Sequence, residues 1–288
     1  DLVLLFTIKP VIYGLLASRC FGIPSIPTIT GLGTVFIRES IVTRIVKRLY
    51  CMALSSASVV FFQNNDDIRL FTEQKLVDFN LCRLSPGSGV DLNAFPESIL
   101  EPSDNMTFLL ISRMLRDKGV VEFVESARYL KKLYPEITFQ LLGPLDVENR
   151  TSISRTEMNQ WVKEGIVEYL GETDNVTSYI KNSSCVVLPS YREGTSRVLL
   201  EAAAMGRPLV ASDVTGCREV VEDGVNGFLC NSKDSKDLAK KMTNILLLSN
   251  EKRKAMGIKG RKKVELEFNQ DFVSQIYIDT IKECYSSN

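Results

Sequence analysis

The chain predicts an α/β fold made of two doubly wound, parallel-sheet domains. Short apolar runs alternate with helical stretches along almost its whole length, which is the pattern of successive βα units. The alternation breaks once, in a Pro/Glu/Ser/Asn-rich bridge from about residue 92 to 105, and then restarts. A length of 288 residues is enough for two domains, each burying a core of its own.

The elements follow in order. Asp1–Phe6 reads as a strand already inside a fold, and Pro10–Cys20 as a helix. A proline-punctuated strand, Ile23–Thr30, runs into the glycine loop Gly31-Leu32-Gly33. A helix follows with apolar Ile37, Ile41, Ile45 and Leu49 beside Arg38, Arg44, Lys47 and Arg48. Its apolar stripe has two readings: a core-facing side, or a surface that rests on anionic lipid. Ala57–Phe62 is a buried strand, Asn64–Asp67 caps the next helix, and Leu81–Leu84 is a short strand. Past the bridge come strands at Thr107–Ile111, Ile137–Leu142, Ile166–Leu170, Cys185–Leu188, Pro208–Ala211 and Gly227–Cys230. Helices are expected at Gly119–Leu133, Thr156–Lys163, Val198–Met205, Leu238–Leu248, Glu251–Phe268 and Phe272–Cys284. The expected domains are 1–95 and 96–268, with 269–288 a helix packing back toward the first.

Composition narrows the function classes. Thirty-five basic residues balance thirty-five acidic ones, so no overall field attracts nucleic acid. The seven cysteines are scattered and odd in number, which reads as reduced packing residues. Histidine is absent, which excludes a histidine base, a Ser–His or Cys–His nucleophile and a His-ligated zinc within this sequence. No apolar run approaches the ~18 residues of a membrane-spanning helix.

The most informative segment is Tyr191-Arg192-Glu193-Gly194-Thr195-Ser196-Arg197, continuing to Glu201. It lies between an apolar strand and a run of strong helix formers. A strand, a polar glycine loop and a helix start together aim backbone N–H groups and a helix dipole at one spot, a natural phosphate seat. Glu201, about two turns into the helix, would then suit neutral hydroxyls such as those of a ribose or sugar. The bland alternative is a capped helix with solvated glutamates. A second constellation, Arg113 to Lys118 and Gly119, also follows a strand and opens a helix. Arg113 can grip phosphate oxygens in pairs and Lys118 can add a point charge. Alone it reads more often as solvated surface, but in a doubly wound sheet the two loops can approach one crevice.

Arg113 and Lys118-Gly119, Glu193-Gly194 with Glu201 eight residues on, Gly206-Arg207-Pro208 and Gly224-Val225-Asn226-Gly227 together resemble retaining glycosyltransferase family 4. Phe6–Pro10, Thr30–Gly33 and Gly89-Val90-Asp91 are similar to the acceptor-side domain of bacterial members that build capsule, O-antigen or other undecaprenyl-diphosphate-linked glycans. The resemblance implies the GT-B fold, two Rossmann-like domains facing a cleft, with the first domain incomplete at its N-terminus. It implies a nucleotide-sugar donor, UDP-linked, a lipid-linked glycan acceptor, no metal and no cofactor, and work at the inner face of the cytoplasmic membrane.

The resemblance also implies site roles. Arg113 and Lys118 would hold the donor diphosphate, helped by backbone N–H groups near Thr195 and Ser196. Glu193 and Gly194 would meet the transferred sugar and Glu201 the ribose. Gly143 and Leu170 would flank the base, and Gly31 and Gly33 would belong to the acceptor side. Retention would proceed by same-face attack, with the leaving phosphate taking the acceptor's proton. Three rival readings stand beside this one. A nicotinamide enzyme would need a third glycine where Phe36 stands. A GT-B sugar-nucleotide epimerase fits the motifs less well. A non-catalytic sugar-nucleotide-binding relic shares the donor site.

Overall fold

A computed structural model of the chain describes residues 1–32, 36, 40–100 and 105–286. The contacts divide it into two compact units. One comprises residues 1–89, the tripeptide 193–195 and residues 270–288; the other comprises 90–192 and 196–269. The contact boundary therefore falls at Gly89–Val90. Bridge residues pack on the second unit: Arg261 donates from Nη1 to the Phe95 carbonyl at 3.0 Å, and buried Arg207 donates to Ser98 Oγ.

The first unit runs β1 (Val3–Phe6), α1 (Ile8–Cys20), β2 (Ser25–Ile29), α2 (Ile41–Leu54), β3 (Val60–Phe62), α3 (Asn65–Glu73) and β4 (Cys82–Leu84). Its strands form one parallel sheet in chain order, with Leu4 beside Ile26, Thr28 beside Phe61 and Phe61 beside Arg83. Parallel pairing leaves both faces to be covered, and β2 and β3 are accordingly buried at every position. Phe71 closes the core, meeting Tyr50 and Phe62 edge-on with ring centroids 5.2 Å apart in each case. Asn64 starts α3 as expected: its Oδ1 accepts the Asp67 N–H at 2.7 Å. The last helix, α10 (Gln270–Ser286), belongs to this unit, with the Tyr277 ring 4.4 Å from that of Phe61 and its hydroxyl 3.0 Å from Thr28 Oγ1.

Helix α2 does not bury its expected apolar stripe. Ile41 is 76% and Ile45 52% exposed, whereas Thr43, Tyr50, Ala53 and Leu54 face the core; Ile37 and Arg38 lie outside the described residues. Four-residue steps advance about 400° round a helix, so such a stripe drifts about 40° per step and leaves the face where it began.

The second unit adds β5 (Thr107–Ile111), α4 (Val120–Leu133), β6 (Thr138–Leu142), α5 (Arg155–Lys163), β7 (Glu168–Tyr169), α6 (Thr177–Asn182) and β8 (Cys185–Leu188). It continues with α7 (Arg197–Ala204), β9 (Leu209–Ser212), β10 (Gly227–Cys230), α8 (Ser235–Leu247) and α9 (Asn250–Glu267). The sheet order is β10-β9-β8-β5-β6-β7, all parallel. Counted from the unit's own first strand this is 6-5-4-1-2-3, the doubly wound dinucleotide order, whose switch point lies between β5 and β8. Alternate residues of β5 serve opposite cores. Phe108 and Leu110 join Phe123, Phe139 and Leu238 under α4 and α8, while Leu109 and Ile111 join Leu199, Ala203 and Val264 under α7 and α9.

Candidate functional site: the switch point of the second sheet

In a doubly wound sheet, ligands bind beyond the carboxyl ends of the strands where the order reverses. Here those ends are Ile111 of β5 and Leu188 of β8, so the loops that follow are the two constellations singled out by sequence.

The loops are joined in several places. Asp117 offers its carbonyl to the Tyr191 N–H at 2.9 Å and to Ser190 Oγ at 3.2 Å. Gly119 lies against the Pro189 carbonyl with φ of 73°, and a Cβ at 119 would stand 2.1 Å from that oxygen. Only glycine combines a left-handed backbone with so close an approach. Tyr191 also donates its hydroxyl to Glu122 Oε1 at 2.6 Å, and Lys233 Nζ lies 4.7 Å from its ring centroid. Burial, reinforced by Glu122, holds the Tyr191 phenol well above its ordinary pKa, so it remains a hydrogen-bond donor.

Within the basic loop the cations are not equivalent. Arg116 is paired with Glu157, which also closes the N-terminal box of α5. Lys118 is half-buried. Arg113 is exposed, and its side chain has no partner among the described residues.

Ser196 caps α7, its Oγ accepting the Leu199 N–H at 3.4 Å. The N–H groups of Thr195 and Ser196, implied above as phosphate donors, are already engaged. Thr195 N–H donates to Gln63 Oε1 at 3.0 Å within the first unit, and Ser196 N–H to the Gly216 carbonyl at 3.2 Å. The helix-end N–H groups without an acceptor among the described residues are those of Arg197 and Val198. Glu193 and Gly194 are half-buried.

Glu201 is buried within α7, 6% exposed, and its Oε1 accepts from Arg197 Nε at 2.9 Å. Burial raises its carboxyl pKa and the Arg197 guanidinium opposes the rise.

Beside these loops a cleft of about 410 Å³ opens beyond β5 and β6, lined by Ile111, Ser112, Leu142, Gly143, Pro144, Glu172, Thr173, Asp174 and Val176. Gly143, with φ of 135°, lets the backbones of β5 and β6 converge: a Cβ there would stand 2.0 Å from the Ser112 carbonyl oxygen. Its N–H donates to the Gly171 carbonyl at 2.7 Å, and its carbonyl accepts from Tyr169 Oη at 2.9 Å. Leu170 is half-buried against the core and does not line this cleft; the lining comes from Glu172 to Asp174, further along the same loop. Sequence reading missed that acidic stretch, although the turn at Gly171 and the strand before it placed the loop at the right sheet end. On the other expected side, Gly31 lies against Gly194 inside the first unit, and Gly33 falls outside the described residues. Among the described residues no group of His, Cys, Asp and Glu side chains is arranged to hold a metal ion.

The sequence model for glycosyl transferases group 1 matches residues 93–263, more than half of the chain and the whole of this site. The chain belongs to the glycosyl transferases group 1 family. This group 1 glycosyltransferase is 29% identical over 283 residues to the N,N'-diacetylbacillosaminyl-diphospho-undecaprenol alpha-1,3-N-acetylgalactosaminyltransferase of Campylobacter jejuni, covering 92% of this chain and 72% of that one. It is 26% identical over 248 residues to the UDP-Gal:alpha-D-GlcNAc-diphosphoundecaprenol alpha-1,3-galactosyltransferase of Escherichia coli, across 81% of this chain and 63% of that one. It spans 47% of the capsular polysaccharide glycosyltransferase CapM of Staphylococcus aureus, at 28% identity. Two solved structures share the fold: sucrose-phosphate synthase from Thermosynechococcus elongatus and Anabaena HepE in complex with UDP. The first has a TM-score of 0.85 at 21% identity and covers all of this chain and 74% of that one. The second has a TM-score of 0.81 at 23% identity, covering 97% and 78% respectively. The fold is that of GT-B glycosyltransferases, with Rossmann-like parallel-sheet units.

Proposed function

We propose that the protein transfers a hexose or N-acetylhexosamine, with retention and without a metal, from a UDP-sugar to a lipid-diphosphate-linked glycan. The observation that carries this reading is the junction of the two loops at the β5–β8 switch point, with a buried carboxylate on the helix that opens there. Arg113 and Lys118 bind the diphosphate and stabilise it as it departs, since charge that develops on the leaving group is best met by fixed cations. The open N–H groups of Arg197 and Val198 add the helix-end contribution. Glu201 accepts the ribose hydroxyls, the base enters the cleft beside Gly143, and Glu193 orients the transferred sugar. The acceptor hydroxyl attacks on the face the nucleotide leaves, and a phosphate oxygen receives its proton. This route needs no histidine, and the sequence has none. The names of the Campylobacter and E. coli relatives, both transferases onto undecaprenyl-diphosphate glycans, support the acceptor class.

The test is a transfer assay with UDP-hexoses and UDP-N-acetylhexosamines, an undecaprenyl-diphosphate-linked glycan, and excess chelator. Chelator-resistant transfer with the α-linkage of the donor preserved is expected. UDP binding without transfer to any such acceptor would favour the non-catalytic reading, and no UDP binding would remove both.

A further inference from the structure

We infer that Arg197 is a positioning residue for the donor: it holds one oxygen of the Glu201 carboxylate and leaves the other for a ribose hydroxyl. This rests on the reading that Glu201 binds the ribose.

Helix energetics alone do not account for the pair. Arg197 is the first residue of α7, where the helix dipole disfavours a cation. Arginine four residues before glutamate is also the weaker order for such a pair. The Arg197 side chain is 72% exposed and that of Glu201 8% exposed, so the arginine gains little from a contact it could replace with water. The carboxylate gains far more, because it has left water and has no other polar side-chain partner among the described residues. Oε1 is held by Arg197 Nε at 2.9 Å, and Oε2 makes no hydrogen bond there.

The surroundings leave Arg197 alone in this task. Strands β8 and β9, which pack on α7, bring no ionisable side chain except buried Cys185. Helix α9 brings Arg261, whose Nη1 is bound to the Ala204 carbonyl at 2.8 Å, at the far end of α7. Of the loop after β9, Glu219 is held by the Gly216 N–H and Arg218 pairs with Asp213. Burial raises the Glu201 pKa and only Arg197 lowers it. Without Arg197 the carboxyl protonates at higher pH and ceases to be a pure acceptor for the hydroxyl proton.

The experiment is calorimetric titration of UDP and 2'-deoxy-UDP into the full chain from pH 8.5 to 5.5, with wild type, Arg197→Gln, Arg197→Lys and Glu201→Gln. Each variant is first checked for native near-UV circular dichroism. Protonation of UDP itself is common to all four proteins and cancels in the affinity ratios. At pH 8.5 Arg197→Gln should bind UDP about 3-fold more weakly, the loss expected of a misplaced hydrogen bond. The deficit should grow as pH falls and the carboxyl protonates, and preference for UDP over the deoxy analogue should shrink with it. Arg197→Lys, which keeps the charge, should return much of the wild-type pH profile. A uniform loss at every pH would make Arg197 a phosphate contact and overturn the inference, as would an unchanged profile. Wild-type UDP affinity in Glu201→Gln would instead remove the ribose reading on which it stands.

Discussion

Replacing Gly119 with alanine probes the junction of the two switch-point loops. Its φ of 73° and ψ of 22° place it in the left-handed region, where a side chain costs about 1–2 kcal/mol. The new Cβ would also stand 2.1 Å from the Pro189 carbonyl oxygen and 2.6 Å from its carbon. Both are backbone atoms at the end of a buried strand, so relief requires the loops to part by more than 1 Å, on the order of 1–3 kcal/mol of overpacking. The sum is about 2–5 kcal/mol. Gly165 supplies the control: its φ is 68°, but a Cβ there meets nothing within 4 Å, so Gly165→Ala should cost only the backbone share. A unit of this size loses about 2–4 °C of Tm per kcal/mol. Thermal unfolding of both variants, followed by UDP titration below the transition, reads the two effects. Gly119→Ala should melt well below Gly165→Ala and bind UDP about 10-fold more weakly, a loss of ~1.4 kcal/mol through the displaced loops. Equal Tm losses with unchanged UDP binding would show that the two loops do not form one rigid cradle.

Other perturbations separate the remaining roles. Arg113→Ala with Lys118→Ala should weaken UDP binding by about 2–4 kcal/mol, the scale of charge-assisted bonds, as measured by calorimetry on protein with native circular dichroism. Glu193→Ala should leave UDP affinity nearly intact while lowering kcat for transfer; equal damage to UDP binding would reverse the division of labour between the two glutamates. Glu201→Gln should raise Tm at pH 8: burial lifts the folded-state pKa above the unfolded one, so the ionised carboxyl costs stability above that range and the cost fades as pH falls through the raised pKa. A Tm difference between Glu201→Gln and wild type that grows on acidification would contradict that sign. Helix α2 exposes Ile41, Val42, Ile45 and Met52 beside Arg44 and Arg48, and it contains no acidic residue. Co-sedimentation with anionic vesicles should therefore be seen at low salt, be lost at high salt, and be lost when Arg44, Lys47 and Arg48 become glutamine, since each cation contributes only about 1 kcal/mol. Identical pelleting of that variant would make α2 purely structural.

The sequence was most legible where local chemistry decides. Strands β5, β8 and β10 have the limits expected of them, because each is an apolar run between unambiguous turn formers. Asn64 caps α3 for the same local reason. Helix α6 leaves no mark in the sequence: it is six residues long and its N-cap, Val176, makes no side-chain cap, so there is neither a period nor a start signal. The face of α2 was open to two readings because its stripe is too slowly periodic to stay on one side. The engagement of the Thr195 and Ser196 N–H groups could not have been read at all. Their acceptors, Gln63 and Gly216, are distant in sequence, and only the tertiary fold brings them close. The motif thus pointed to the switch-point loops, while the N–H groups still open there are set by long-range contacts.

The place of α10 bears on how the protein is made. The first unit needs Tyr277 over Phe61 and against Thr28, yet that helix begins only at Gln270, whereas the unit's leading segment ends at Gly89. A ribosome adding ~5–20 residues per second takes roughly 10–35 s to cross the interval. During that time the leading segment lacks the helix whose Tyr277 packs on Phe61. The second unit, formed of 90–192 and 196–269, has all its residues sooner. Completion of the first unit therefore waits on residues made after all those of the second, and a premature stop just before Gln270 would leave the first unit without α10.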